Sequence, residues 1–159
     1  MIKISKYTII FIIYLSLIIN HSKSSENKIL FKVNNEIITS LDILNEVQYL
    51  QIINKEFKNI KKEDAFQISK NSLIREKIKE IEIKKIIKDI KIKDQVLNNL
   101  ILNYFKDLKI TSIPEFEKFF LNKNINPNMI RKKITLEMLW NQLIYTKYKK
   151  NVKINKQLI

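Results

Sequence analysis

The chain has 159 residues, with 30 Lys and Arg against 16 Asp and Glu, which gives a formal net charge of +14 at pH 7. This length is that of a single domain. The chain contains no cysteine and no glycine, so a disulfide framework, a thiolate metal site, a cysteine nucleophile and a glycine-rich phosphate loop are excluded. Its single histidine, His21, lies in a segment that we expect to be removed. We therefore expect no catalytic residue, no cofactor and no metal site.

The start of the chain has the features of a signal peptide. Lys3 and Lys6 precede an apolar run at residues 7–19. The run is long enough for a signal-peptide core but shorter than the ~20 residues that span a bilayer as a helix. Ser22 and Ser24 place small side chains where a signal peptidase requires them, so we expect cleavage after Ser24 and export to the periplasm. Retention of this segment, which would anchor the protein to the inner membrane, is the alternative.

Two short β-type runs follow, at residues 29–33 and 36–39, on either side of an Asn-Asn pair. Because asparagine tolerates a positive φ, the pair predicts a tight hairpin turn. Thr39 or Ser40 then caps the first helix. The helix is indicated by three-and-four spacing along one face, which contains Leu41, Leu44, Val47, Gln48, Gln51 and Ile52.

Four more helices are predicted after the first one. Two are long, at about residues 63–87 and 128–149, and two shorter ones start near residues 93 and 112. The last helix carries two apolar stripes. One contains Ile130, Ile134, Met138 and Tyr145, and the other contains Leu136, Leu139, Trp140 and Leu143. Because two stripes need two layers of packing, we expect one of them to be exposed or covered by something outside this chain.

These elements predict an all-α fold, with about five helices preceded by a small N-terminal β-hairpin. We expect a signal peptide at residues 1–24, one domain at residues 28–150 and a short tail at residues 151–159.

Four short motifs occur in a fixed order along the predicted domain. They are VNNEIITSLD at residues 33–42, LIREKI at 73–78, KDQV at 93–96 and IRKKITLEML at 130–139. Behind a signal peptide, this series resembles the opening hairpin and the first, second, third and last helices of the SurA N-terminal domain family of periplasmic chaperones. One departure is Asp89-Ile90-Lys91, which occupies a turn where the family usually has a glycine.

The resemblance implies a chaperone domain that binds unfolded apolar and aromatic segments of exported or outer-membrane proteins in a groove between helices. Full members of the family continue into parvulin-type peptidyl-prolyl isomerase domains and return with a helix that completes the N-terminal core. Neither is present in this chain, so the isomerase activity is not assigned to it. A truncated or fragmentary isomerase is one alternative function.

The candidate client-binding residues are methionines and aromatic residues on the last two helices, because such side chains suit surfaces that bind many apolar sequences. They are Phe116, Phe119, Phe120, Met129, Met138, Trp140 and Tyr145. For the three phenylalanines, a role as core anchors of a short amphipathic helix is the simpler interpretation. The expected partners are unfolded or nascent exported and outer-membrane proteins, with a homodimer as a further possibility.

A basic run near the C-terminus indicates another alternative, a protein that binds nucleic acid or a membrane surface. It contains Lys147, Lys149, Lys150 and Lys153, with Tyr145 and Tyr148 between or beside them. The export signal and the general enrichment in lysine argue against this alternative. We therefore expect no nucleic-acid partner and no stable membrane insertion after signal cleavage.

Overall fold

The computed structural model describes residues 27–149. The predicted signal peptide and C-terminal tail lie outside the described residues. The elements are β1 (Ile29–Val33), β2 (Glu36–Thr39), α1 (Ser40–Ile53), α2 (Lys62–Lys84), α3 (Asp94–Tyr104), α4 (Ile113–Leu121) and α5 (Pro127–Tyr148), with 3-10 turns at Lys55–Asn59 and Lys106–Leu108. This mainly helical fold with a two-stranded hairpin confirms the predicted fold class. Within the described range, no helix has the length and apolarity needed to cross a membrane.

Local chemistry fixes the hairpin and the start of α1 as the sequence predicts. The strands are antiparallel, and Asn34 in the turn has a φ of 53°. Thr39 caps α1: its side chain accepts from the Asp42 N–H at 3.3 Å, and the Asp42 carboxylate accepts from the Thr39 N–H at 2.8 Å. Such a reciprocal pair satisfies two otherwise unpaired donors at a helix start.

The predicted face of α1 is correct for Val47 and Ile52, which pack against two core clusters, and wrong for its two leucines. The buried residues of α1 are Ile43, Glu46 and Tyr49, whereas Leu41 and Leu44 are 48% and 50% exposed. The buried face contains a carboxylate, so a search for apolar periodicity alone selects the neighbouring face. Burial of Glu46 depends on partners from two other helices.

The largest of the three core clusters lies among α1, α3, α4 and α5 and has nine buried members. Phe105, Phe116 and Phe120 form its centre, with ring centroids 5.1–5.6 Å apart. The second cluster joins the hairpin to α1 and α2 through Ile38, Ile43 and Leu73. The third consists of Ile83 of α2 with Leu136 and Leu139 of α5. The second and third clusters pack α2 against both α1 and α5.

Both apolar stripes of α5 find packing partners within the chain, which corrects the expectation that one whole stripe is uncovered. Leu136 and Leu139 are sealed against the end of α2 and against three isoleucines of the following connection, namely Ile87, Ile90 and Ile92. α2 ends at Lys84, three residues earlier than predicted, and the connection after it supplies this extra cover. Exposed apolar surface on α5 is found instead in its last turns, at Ile144, Tyr145 and Tyr148.

Candidate binding cavity

An open cavity of about 340 Å³ lies between α1, α2 and α5. It is lined by Glu46, Tyr49, Leu50 and Ile53 of α1, by Ser72, Arg75, Glu76 and Lys79 of α2, by Lys133, Ile134, Leu136 and Glu137 of α5, and by Tyr104 at the end of α3. Four helices thus contribute side chains, and the lining combines aromatic, aliphatic and charged groups. The lining is therefore more polar than that of most ligand pockets, which are largely apolar with a few placed polar groups.

A buried ion cluster connects the three walls of the cavity. The Lys133 ammonium of α5 lies 2.7 Å from Glu46 Oε2 of α1 and also pairs with Glu76 of α2. The Ser72 hydroxyl donates to Glu46 Oε1 at 2.7 Å. Glu46 is only 1% exposed, so these partners are what allow a carboxylate in the interior. The cluster therefore fixes the spacing of α1, α2 and α5 around the cavity.

The electrostatics of the lining fix the protonation states of Lys133 and Tyr49. Burial by itself lowers the pKa of Lys133, but Glu76 and Glu46 outweigh it and the pKa is raised. Burial raises the pKa of the Tyr49 hydroxyl, and Tyr104, which hydrogen bonds with it, raises this pKa further. Lys133 is consequently a cation and Tyr49 a neutral phenol near neutral pH.

The mouth of the cavity carries exposed aromatic surface next to paired charges. Tyr104 is 58% exposed, and its ring contacts that of Phe105 edge-on with centroids 5.0 Å apart. Lys79 of α2 pairs with Glu137 of α5 across the opening. Leu50 and Ile53 are half-buried on the opposite wall. The lining thus presents aromatic and aliphatic surface together with paired charges.

A second ion cluster stiffens the same helices outside the cavity. The Glu80 side chain of α2 is 6% exposed and lies 2.8 Å from both Lys84 of its own helix and Lys132 of α5. Lys77 and Lys84 also pair with Glu36 of the hairpin. Burial raises the pKa of Glu80, but Lys132 and Lys84 reverse this and the pKa is lowered. This cluster ties the hairpin to α2 and α5.

The structure places the seven predicted client-binding residues in three different environments. Phe116 and Phe120 are completely buried, and this burial corrects their assignment to a client surface, because a bound chain has no access to them. Phe119 and Met129 are half-buried and pack against the same cluster. Met138 and Trp140 are half-buried, and Tyr145 is 68% exposed. Burial as core anchors is the simpler interpretation that the sequence offered for Phe116 and Phe120.

None of these seven residues lines the cavity. Sequence reasoning missed the cavity because its framework is polar. The one available signal is Glu46, which stands three residues after Ile43 and three before Tyr49, in line with two apolar residues of α1. A carboxylate in such a position predicts a buried partner of opposite charge. Nothing in the sequence identifies Lys133 as that partner among so many lysines.

The chain was compared with protein families, curated proteins and solved structures. No family model, curated protein or solved structure matches it. Within residues 27–149, no group of three His, Cys, Asp or Glu side chains is arranged to hold a metal ion.

Proposed function

We propose that this chain is a chaperone-type domain similar to the N-terminal domain of SurA. It binds unfolded apolar and aromatic segments of exported or outer-membrane proteins, in the periplasm, and the bound segment places a side chain in the cavity between α1, α2 and α5. The observation that carries the proposal is the open cavity, whose lining includes aromatic and aliphatic side chains and whose buried ions are already paired.

The size and lining of the cavity favour capture of a side chain over chemistry on a substrate. At about 340 Å³ the cavity is at the lower end of the roughly 300–1,000 Å³ range of ligand pockets. Its apolar walls include Leu50, Ile53, Tyr104 and Ile134. Burial of an apolar side chain there is favourable by about 25 cal/mol for each Å² removed from water. Such binding selects for apolar content and not for a particular sequence.

The paired charges reduce the cost of occupying the cavity. An incoming segment displaces water from Lys133, but that ammonium keeps both Glu46 and Glu76 as partners. The Lys79–Glu137 pair at the opening is likewise complete without a ligand. A buried charge without a partner costs several kcal/mol. A lining whose charges are already paired therefore accepts an uncharged segment more readily than a lining with an unpaired charge would.

The family resemblance supports the same surface. The α2 motif at residues 73–78 contributes Arg75 and Glu76 to the cavity wall, and the α5 motif at residues 130–139 contributes four more residues, including Lys133 and Ile134. Two of the four motifs that carry the resemblance therefore line the proposed client site.

Binding of an unfolded outer-membrane protein to two tyrosine variants tests the proposal. Tyr104→Ala removes the aromatic group at the mouth of the cavity, and we expect it to weaken both client affinity and suppression of client aggregation at least fivefold. Tyr145→Ala is the matched control, since Tyr145 is similarly exposed but lies outside the cavity. We expect binding to persist at moderate salt, because burial of apolar surface is not screened.

Two results would contradict the proposal. One is a wild-type chain that neither binds the client nor delays its aggregation. The other is the reverse pattern, in which Tyr145→Ala loses binding and Tyr104→Ala keeps it, because that pattern moves the client to the end of α5.

A further inference from the structure

The last turns of α5 expose apolar and aromatic side chains that no other element covers fully. Ile144 is 36% exposed, Tyr145 68% and Tyr148 44%. Residues 144 and 148 are four apart and residues 145 and 148 three apart, so these side chains lie on one side of the helix. Large exposed apolar side chains in a group, in contrast to single ones, mark interaction surfaces.

The same turns are basic and free of acidic residues. Lys147 and Lys149 are exposed, and their ammonium groups lie 5.6 Å and 5.8 Å from the ring centroids of Tyr148 and Tyr145. From residue 138 to residue 159 the sequence contains five lysines and no acidic residue. The α5 ion pairs seen in the described part of the chain all fall at residues 131–137. Among residues 27–149, the positive charge at the end of the helix is therefore not neutralised by an acidic neighbour.

We infer that this end of α5, comprising Ile144, Tyr145, Lys147, Tyr148 and Lys149, docks on the surface of an anionic lipid bilayer. Tyrosine rings prefer the level of the lipid headgroups, and lysines extend their ammonium groups to the phosphates while their stems stay near apolar surface. Ile144 adds aliphatic area that enters the acyl boundary. Nearby lysines contribute about 1 kcal/mol each to attraction by an anionic leaflet, which corresponds to roughly fivefold in partitioning.

The arrangement of the rings favours lipid over nucleic acid as the partner. Single-stranded nucleic acid binds by stacking bases on open aromatic faces. Here the ammonium groups of Lys147 and Lys149 lie 5.6 Å and 5.8 Å from the centroids of the Tyr148 and Tyr145 rings, so a stacked base would compete with them for one face of each ring. An exposed isoleucine also has no partner on a phosphate backbone, whereas a bilayer provides one.

Docking at this surface is compatible with an occupied cavity. The last α5 residue in the cavity lining is Glu137, seven residues before Ile144, a separation of about 10 Å along the helix axis. The inference thus goes beyond the proposed function: the bilayer would hold the domain by one end of α5 while the cavity stays accessible.

Co-sedimentation of the full chain with lipid vesicles tests the inference. We expect partitioning onto vesicles of phosphatidylcholine mixed with phosphatidylglycerol to exceed partitioning onto phosphatidylcholine alone, and to fall with added salt. The double variant Lys147→Gln, Lys149→Gln should lose roughly thirtyfold on the anionic vesicles. The variant Tyr145→Ser, Tyr148→Ser should lose several-fold on both kinds of vesicle. Because every variant carries the same residues 1–26, any contribution from that segment cancels in the comparison.

The matched control is Lys55→Gln, Lys58→Gln, which removes the same charge from exposed positions in the 3-10 turn after α1. Retained partitioning of this control supports the inference, and a loss equal to that of the α5 variant overturns it, since general positive charge would then explain the binding.

Trp140, the single tryptophan, lies one turn before Ile144 and supplies a second measurement. Quenching of its fluorescence by brominated anionic lipid supports docking at α5. Binding to heparin or a single-stranded oligonucleotide without binding to vesicles overturns it.

Discussion

Two residues, Glu46 and Lys133, decide how the cavity is built. Each is on a different helix, and their ion pair is buried with Glu76 and Ser72 as the further partners. A buried ion pair is worth little compared with well-packed apolar residues, but removal of one member leaves an uncompensated charge in the interior. We therefore expect the pair to act mainly by setting the distance between α1 and α5 and not by adding to stability.

This asymmetry predicts the result of a double-mutant cycle. Lys133→Met should lower the free energy of unfolding by about 3–5 kcal/mol, because Glu46 then stays buried without its cation. Glu46→Leu combined with Lys133→Met should recover most of that loss. Urea denaturation of the wild type and the three variants measures the cycle. Losses that simply add in the double variant would show that the pair is not coupled.

At the scale of elements, α5 changes its environment along its length. Ile130 is sealed in the largest cluster, Leu136 and Leu139 are sealed against α2, Trp140 is half-buried and Tyr145 is open to solvent. Because α2 ends at Lys84, the last turns of α5 extend beyond the helix that covers their neighbours. This gradient separates the packed part of α5, which also supplies the cavity lining at residues 133–137, from its exposed last turns.

The gradient predicts graded costs of truncation. Trp140→Ala should lower the free energy of unfolding by about 2 kcal/mol, less than the 3–5 kcal/mol expected for a fully buried aromatic residue. Phe120→Ala is the comparison, since Phe120 is 0% exposed and should cost about 3–5 kcal/mol. Thermal and urea unfolding of both variants measure the difference. A larger loss for Trp140→Ala than for Phe120→Ala would contradict the placement of Trp140 at the edge of its cluster.

At the scale of the whole molecule, the ion clusters make stability depend on pH in a defined direction. The hydrogen bond and charge of Lys77 lower the pKa of Glu36, and the pKa of Glu80 is lowered by Lys132 and Lys84 in spite of burial. A lowered folded-state pKa contributes stability that is complete above the ordinary value of 4.5 and is lost as the pH falls through the folded value. We expect unfolding free energies to be level down to about pH 4.5 and then to fall.

Glu80→Gln should make that acid loss shallower, and urea titrations at several pH values measure the slope. Glu56→Gln, an exposed carboxylate in the 3-10 turn after α1, is the control and should leave the slope near that of the wild type. Equal slopes for Glu80→Gln and the wild type would contradict the assignment of this acid sensitivity to the Glu80 cluster.

The elements that local chemistry determines were predictable from the sequence, and the cavity was not. Asn34 in the turn, Thr39 with Asp42 at the start of α1 and Ser112 at the start of α4 act through neighbours a few residues away, so the chain order reveals them. The buried face of α1 depends on Glu46 meeting Lys133, 87 positions further along the chain. With 30 Lys and Arg in the chain, no local pattern singles out that partner.

The two apolar stripes of α5 show that packing, too, could be predicted from the sequence only in part. Their periodicity correctly indicated two apolar faces, and α5 does pack on two clusters. The sequence did not show that Ile87, Ile90 and Ile92 would fold back from the connection after α2 to cover the second face. Such cover depends on the path of the connection, which has no periodicity to read.

The most direct test of the account is site-specific photo-crosslinking between the full chain and an unfolded outer-membrane protein. A benzophenone amino acid replaces Tyr104 at the mouth of the cavity in one variant and Tyr145 on α5 in another. We expect crosslinks to the client from position 104 that excess unlabelled client suppresses, with far fewer from position 145. Crosslinks from position 145 alone, or none from either position while the client stays bound, would contradict the assignment of the cavity as the client site.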